Sequence, residues 1–251
     1  YGLGETEAIK EVRKLYERSF FQVRRCPEPK TAGAEEQFTQ VLDRMMSEHN
    51  NVQATIARGL QELHSAGDKR IRSVAGDDII IHANSPFDFG QFLDRFYLSR
   101  VGMRVLVGQH IMLHHPQDGF IGIIQTECQP AFVCEHAISD AQQICEMSLG
   151  VAPAVKVEGA TDMRLPYIPE HLHYIFFELL KNSMRAVVER FQAMQPEVQL
   201  SRDDLPPISV IFSEGAEDVT IKISDRGGGI PRSGMQRLWT YSFTTAGNTA
   251  H

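Results

Sequence analysis

Long apolar runs are missing from this chain. No stretch of roughly eighteen or more apolar residues occurs, so no membrane-spanning helix is expected. The opening residues Tyr1-Gly2-Leu3-Gly4 have none of the features of a signal or transit peptide. Cysteine is scarce: Cys26, Cys128, Cys134 and Cys145 fit neither a paired zinc-ligand set nor a redox CxxC, and they read as buried free thiols. Charge of one sign is not concentrated either. The 25 Lys and Arg are scattered among 32 Asp and Glu for a net charge of −7, which argues against nucleic acid or an anionic membrane surface as a partner. Internal repeats and low-complexity tracts are absent.

What is present is enough apolar material for a sizeable core. With 251 residues and 42% hydrophobic content, one large domain or two of ordinary size are expected. From Glu5 to about His64, apolar residues fall at helical spacing (Leu15, Phe20 and Val23, then Phe38, Val41, Leu42 and Met45) around a break at Pro27 and Pro29, predicting two or more helices. Ser65 to Gly90 reads as a long connection with one possible strand at Ile79-Ile80-Ile81. Helices are predicted over Phe92 to His114 and from about Pro130 to Leu149. The pattern changes near Gly150, where the domain boundary is placed: a helical bundle over 1–150 and an α/β domain over 151–251. In the second part Val155, Val157 and Leu165 suggest short extended pieces. Pro169 opens a helix to about Met194, and Ile208–Phe212 with Val219–Ile223 reads as a hairpin. The fold class is therefore α+β, a bundle followed by an α/β layer.

Chemistry gathers in two stretches. On the helix after Pro169, Leu172, Ile175, Phe176, Leu179 and Val187 form the expected apolar face, and Glu178, Asn182, Arg185 and Glu189 form a polar stripe across it. Alone, such a stripe is equally a solvated surface. About forty residues later Asp225 ends an alternating strand and precedes Arg226-Gly227-Gly228-Gly229, where small residues let the backbone approach a ligand closely. A carboxylate there can accept a hydrogen bond from the exocyclic amine of a purine. Alone, Asp before Gly is also a common turn. Together the two stretches suggest an ATP site. Motifs of eukaryotic-type protein kinases are absent: there is no GxGxxG before a VAIK-like lysine, no HRD and no DFG.

The pattern Glu178-x-x-Lys181-Asn182-x-x-Arg185-Ala186 with Asp225-x-Gly227-x-Gly229 resembles the first two boxes of the GHKL type of ATP-binding domain, shared by histidine kinases and MutL. Upstream, Glu48-His49-Asn50-Asn51-Val52 and Phe92 to Arg100 with Arg104, and downstream Phe243-Thr244-Thr245-Ala246, resemble the mitochondrial 2-oxoacid dehydrogenase kinases, of the pyruvate and branched-chain types. The likeness spans most of residues 10–246. It implies a serine kinase of the mitochondrial matrix that uses MgATP to phosphorylate and switch off the decarboxylase α subunit of a 2-oxoacid dehydrogenase complex. Pyruvate dehydrogenase is the first choice and the branched-chain complex the alternative. The implied partners also include the lipoyl domain of the acyltransferase core and a second copy in a homodimer.

By the same resemblance, Glu178 is the general base or orients the serine hydroxyl. Asn182 ligates Mg²⁺, Asp225 holds the adenine amine, and Arg185, Gly227 and Gly229 complete the nucleotide site. Thr244 and Thr245 lie in a lid near the phosphates. Backbone oxygens of Leu238, Thr240 and Phe243 match a K⁺ site, and His49, Arg100 and Arg104 match a regulatory pocket for small carboxylates. Two arginines one turn apart suit a carboxylate; helix-surface arginines beside a core or capping histidine would read the same way. Tyr174 stands where many pyruvate-type members have a histidine that pairs with the glutamate. That tyrosine is more like the branched-chain type, as is the Phe243–Ala246 ending. A second glycine-rich box is implied beyond the lid and is not in these 251 residues, so the sequence is expected to be part of a longer chain. A nucleotide-sensing module that grips the lipoyl scaffold without catalysing transfer is the reading from another class; a chaperone-like or DNA-repair ATPase of the same superfamily has no support in the upstream motifs.

Overall fold

The computed structural model describes residues 4, 6–65, 89–235 and 238. They divide into two compact units. The first runs to His115 and also takes in the short helix after Pro231; the second covers Pro116–Pro231.

The first unit is helical. Helix α1 (Glu7–Arg25) starts at Thr6, whose side chain accepts the Ile9 amide, and α2 (Ala32–Glu48) starts at Thr31, which does the same for Ala34. Pro27 and Pro29 keep the two helices apart, as predicted. The chain turns again at His49–Asn51 into α3 (Val52–Ser65), and α4 covers Phe89–Leu113. Val12, Val52, Ile56 and Leu93 form a buried cluster, flanked by Ile9, Leu15, Tyr16, Leu60, Phe96 and Tyr97. The strand expected at Ile79–Ile81 lies outside the described residues.

The second unit holds two small sheets and two long helices. Strands β1 (Phe120–Ile121), β2 (Ile124–Cys128) and β4 (Leu165–Tyr167) form one antiparallel sheet in the order β1-β2-β4. In the other, β3 (Val155–Gly159) lies parallel to β5 (Ile208–Glu214), which pairs antiparallel with β6 (Val219–Ser224). The hairpin is where the alternation placed it. Strands β1 and β2 left no usable sequence signal, because one is two residues long and the other only five, without a regular alternation of buried and exposed positions.

Helix α5 (Pro130–Leu149) matches its predicted bounds but not its predicted domain. The compact units divide between His115 and Pro116, not near residue 150. The reason is packing. Cys134, Ala137, Ala141 and Cys145 of α5 are buried in one cluster with Phe176, Leu180, Met184 and Val187 of α6 (Pro169–Met194) and with Ile208, Val210 and Phe212 of β5. Small residues on α5 let the two helices approach closely, and burying this shared face binds α5 to the α/β unit. Helix α7 (Arg232–Met235) follows Pro231. No helix among the described residues is long and apolar enough to cross a membrane.

Candidate functional site

Helix α6 begins with Pro169 at its first turn and buries Leu172, Phe176, Leu180, Met184, Val187 and Val188. The series steps mostly by four, so the buried face lies further round the helix than the sequence reading placed it. Ile175 and Leu179, expected on the apolar face, are 45% and 49% exposed. With 3.6 residues per turn they share a face with Asn182 and Ala186.

That face carries the predicted polar residues, and Glu178 and Arg185 each have a defined neighbour. Glu178 and Lys181 are both half-buried, with Lys181 Nζ 2.7 Å from Glu178 Oε2. The same ammonium stands 5.0 Å from the centre of the Phe177 ring. Asn182 is exposed. Arg185 turns along the helix, its Nε donating to Glu189 Oε1 at 2.6 Å. Tyr174, one turn before Glu178, is 63% exposed. His173 instead pairs with Asp140 of α5 at 3.1 Å and stacks on Phe177.

The glycine turn after β6 closes against α6. Asp225 Oδ1 accepts the Gly227 amide at 2.8 Å, and Asp225 Oδ2 accepts the Ser183 hydroxyl at 3.1 Å. Arg190 donates to the Arg226 carbonyl at 3.0 Å, tying the turn to the helix a second time. Gly227 is required by space: a Cβ there would lie 2.5 Å from the Ala186 Cβ and 3.0 Å from its carbonyl carbon. Gly228 and Gly229 have φ of +99° and +74°, where side-chain-bearing residues are strained. The structure thus brings Asp225, Gly227 and the Asn182-bearing helix together. It also adds Ser183, to which the sequence reading gave no role. A small polar residue among the buried positions of an amphipathic helix was the available signal.

A second constellation lies in the helical unit. His49 ends α2 and is 7% exposed, and Arg100 of α4 is 5% exposed. Arg100 Nη2 donates to the His49 carbonyl at 2.7 Å and Nη1 to the Tyr16 hydroxyl at 3.2 Å. The Ser19 hydroxyl donates its one proton to the Leu15 carbonyl, so it accepts from His49 Nε2 at 2.8 Å. Burial, and then the Arg100 charge, pull the His49 pKa below its ordinary value. Arg104 Nη2 reaches Asn50 Oδ1 at 3.5 Å. Tyr16, Ser19, His49, Arg100 and Arg104 line a cavity of about 450 Å³ whose other walls include Phe20, Leu42, Met45 and Met103. A largely apolar chamber with a histidine and two guanidiniums in its lining has the chemistry for a small anion with an apolar body.

Of the remaining predicted residues, Leu238 is half-buried in a turn, and Thr240, Phe243, Thr244 and Thr245 lie outside the described residues. Among the described residues, no group of three or more His, Cys, Asp or Glu could hold a metal ion.

A helix with an acid and an amide on one face, closed by an Asp-bearing glycine turn from an adjacent hairpin, gives the second unit the layout of a GHKL-type α/β domain. Residues 1–125 match the family model described as mitochondrial branched-chain alpha-ketoacid dehydrogenase kinase. The mitochondrial pyruvate dehydrogenase (acetyl-transferring) kinase of Arabidopsis thaliana is 42% identical over 251 residues, covering 99% of this chain and 63% of that protein. Its counterpart in Schizosaccharomyces pombe is 37% identical over 84% of this chain and 46% of its own length. Human mitochondrial isozyme 3 is 34% identical over 94% of this chain and 56% of its own. The chain belongs to the family of mitochondrial 2-oxoacid dehydrogenase kinases. It spans less than two thirds of the length of these curated relatives.

Proposed function

We propose that this chain carries the nucleotide site and the regulatory bundle of a mitochondrial serine kinase that uses MgATP to phosphorylate, and so inactivate, the decarboxylase α subunit of the pyruvate dehydrogenase complex. The observation that carries the reading is Asp225. Its two oxygens are held by Ser183 and Gly227 beside the α6 face that presents Asn182 and Glu178. A carboxylate fixed in this way offers its remaining lone pairs to a donor, and the adenine amine is one. The names of the Arabidopsis, yeast and human relatives support kinase activity, the pyruvate dehydrogenase substrate and a mitochondrial location. Residence in the matrix, a homodimer and docking on the lipoyl domain of the acyltransferase core belong to the same proposal.

In the proposed transfer, the substrate serine oxygen attacks the γ-phosphorus, the bond to the ADP oxygen breaks, and the serine proton passes to Glu178. Lys181 holds the Glu178 carboxylate in place from 2.7 Å. Positioning and charge stabilisation supply most of the acceleration in such reactions. Asn182 fits magnesium: with no acidic cluster beside it among the described residues, one amide oxygen leaves most of the coordination to phosphate and water, which suits this ion. Magnesium bound with ATP neutralises charge on the phosphate oxygens. Arg185, oriented by Glu189, and the backbone at Gly227 and Gly229 border the nucleotide. Thr244 and Thr245 are assigned to the lid, and the backbone oxygens of Leu238, Thr240 and Phe243 to K⁺. The cavity at His49, Arg100 and Arg104 is assigned to a small regulatory carboxylate.

The branched-chain complex is the competing substrate, favoured by the name of the family model that matches residues 1–125. Transfer from labelled ATP by the full-length protein, with pyruvate and branched-chain decarboxylase components offered separately on their lipoyl cores, separates the two. Labelling of the pyruvate component is the expected result. Labelling of the branched-chain component alone moves the substrate. ATP binding without labelling of either would favour a nucleotide-sensing module on the lipoyl scaffold.

A further inference from the structure

We infer that Ser183 is a positioning residue that sets the base preference of the nucleotide site, by fixing Asp225 as a pure hydrogen-bond acceptor. The inference rests on the nucleotide reading above and adds a residue and a specificity to it. Ser183 lies on the buried side of α6, 9% exposed, whereas Asp225 is exposed at the end of β6. The two are 42 residues apart in the chain and meet at 3.1 Å.

The hydroxyl has one proton, and it goes to Asp225 Oδ2. The Gly227 amide proton goes to Oδ1. Two donors, one on each oxygen, fix both the position and the plane of the carboxylate. The Gly227 donor comes from the same turn and moves with it; Ser183 is anchored in the packed face of α6 and ties the carboxylate to the core. Ser183 therefore decides where the exposed acceptor stands relative to the helix.

The chemistry of the base follows. A carboxylate engaged this way has lone pairs to offer and no proton. A six-amino purine presents an N–H there, and a six-keto purine presents another acceptor, which is repelled. The Ser183 proton is committed to Asp225 and so cannot turn to greet a keto oxygen. Losing a charge-assisted hydrogen bond that orients the acceptor is expected to weaken the amino-purine complex about tenfold. The keto-purine complex gains nothing from that orientation and changes little.

The test compares wild type, Ser183→Ala and Ser183→Thr in the full-length protein. Calorimetry with ATP and with GTP is combined with thermal melts and, where transfer is measured, with separate kcat and KM. The expected result is about tenfold weaker ATP binding in S183A with GTP unchanged, so that the ATP preference falls by the same factor. KM rises while kcat at saturating ATP stays level, and S183T, which keeps the hydroxyl, restores the preference. Unchanged ATP affinity in S183A overturns the inference and leaves the nucleotide reading standing. Equal weakening of ATP and GTP alongside a lower melting temperature also overturns it, because that is the signature of a packing role only. A wild-type protein that binds no adenine nucleotide overturns the nucleotide reading and this inference together.

Discussion

Arg100 of α4 donates to the backbone carbonyl of His49, at the end of α2, across 2.7 Å, with both residues more than nine-tenths buried. The same guanidinium reaches Tyr16 of α1. One side chain thereby satisfies acceptors on two other helices and also lines the cavity beside them.

Arg100→Ala should therefore destabilise the helical unit as well as weaken anion binding. Removing the charged donor leaves the buried His49 carbonyl only the longer bond from the Val52 amide at 3.4 Å, at a cost of roughly 2 kcal/mol. Urea denaturation followed by circular dichroism should show the loss. Arg100→Lys should recover only part of it, since a point charge on a flexible stem does not reproduce the fork.

The glycine turn gives a sharper comparison. Gly227→Ala drives a methyl into Ala186 and should cost about 1–3 kcal/mol as the turn lifts from α6. Nucleotide binding should fall by more than tenfold as Asp225 moves. Gly229→Ala meets open space, so only its φ of +74° opposes the change, at about 1 kcal/mol. Equal effects of the two variants on melting temperature would contradict the close packing at Ala186.

His114 should make the contact between α2 and α4 sensitive to pH. Its Nδ1 faces the His110 carbonyl at 2.8 Å and its Nε2 faces Glu35 Oε1 at 3.0 Å. Both neighbours are acceptors, so the doubly protonated ring satisfies the geometry. The hydrogen bonds to His110 and then to Glu35 raise its pKa above the ordinary 6.5. A raised folded-state pKa gives stabilisation that is complete below 6.5 and lost as pH rises through the folded value. The stability difference between wild type and His114→Gln should be largest near about pH 5.5 and shrink by about pH 8.5. His110 is pulled down by burial and then by the His114 charge, so in His114→Gln the second influence is lost and its own titration contributes to the measured difference.

The thiols should sort by burial. Cys128, Cys134 and Cys145 are buried, and burial pushes Cys134 up to about 12 and Cys145 up to about 11. Cys26 is half-buried at the end of α1. A disulfide reagent near neutral pH should modify Cys26 in the native protein and the other three only after unfolding, because the thiolate is the reactive form. Rapid modification of Cys134 in the folded protein would contradict its place in the core.

Much of this architecture was legible in the sequence because it depends on neighbours along the chain. Proline at 27, 29 and 169 acts within a turn of itself, so the break between α1 and α2 and the start of α6 followed from local rules; the caps at Thr6 and Thr31, equally local, were not read from the sequence. The pairing of β5 with β6 followed from alternation around a short polar turn. The spacing of Glu178, Asn182 and Arg185 put them on one face of α6 before any contact was known.

Tertiary structure decided which partner each polar group took and which unit each element joined. Arg185 turned to Glu189, Lys181 to Glu178, and Asp225 to Ser183, a residue 42 positions away that spacing alone had left without a role. Helix α5, assigned by its position in the sequence to the bundle, went to the α/β unit because its small buried residues fit against α6. Hydrogen bonds and close packing act over a few ångströms in space, so periodicity can name the face a residue occupies, but only the folded chain brings the opposite surface to it.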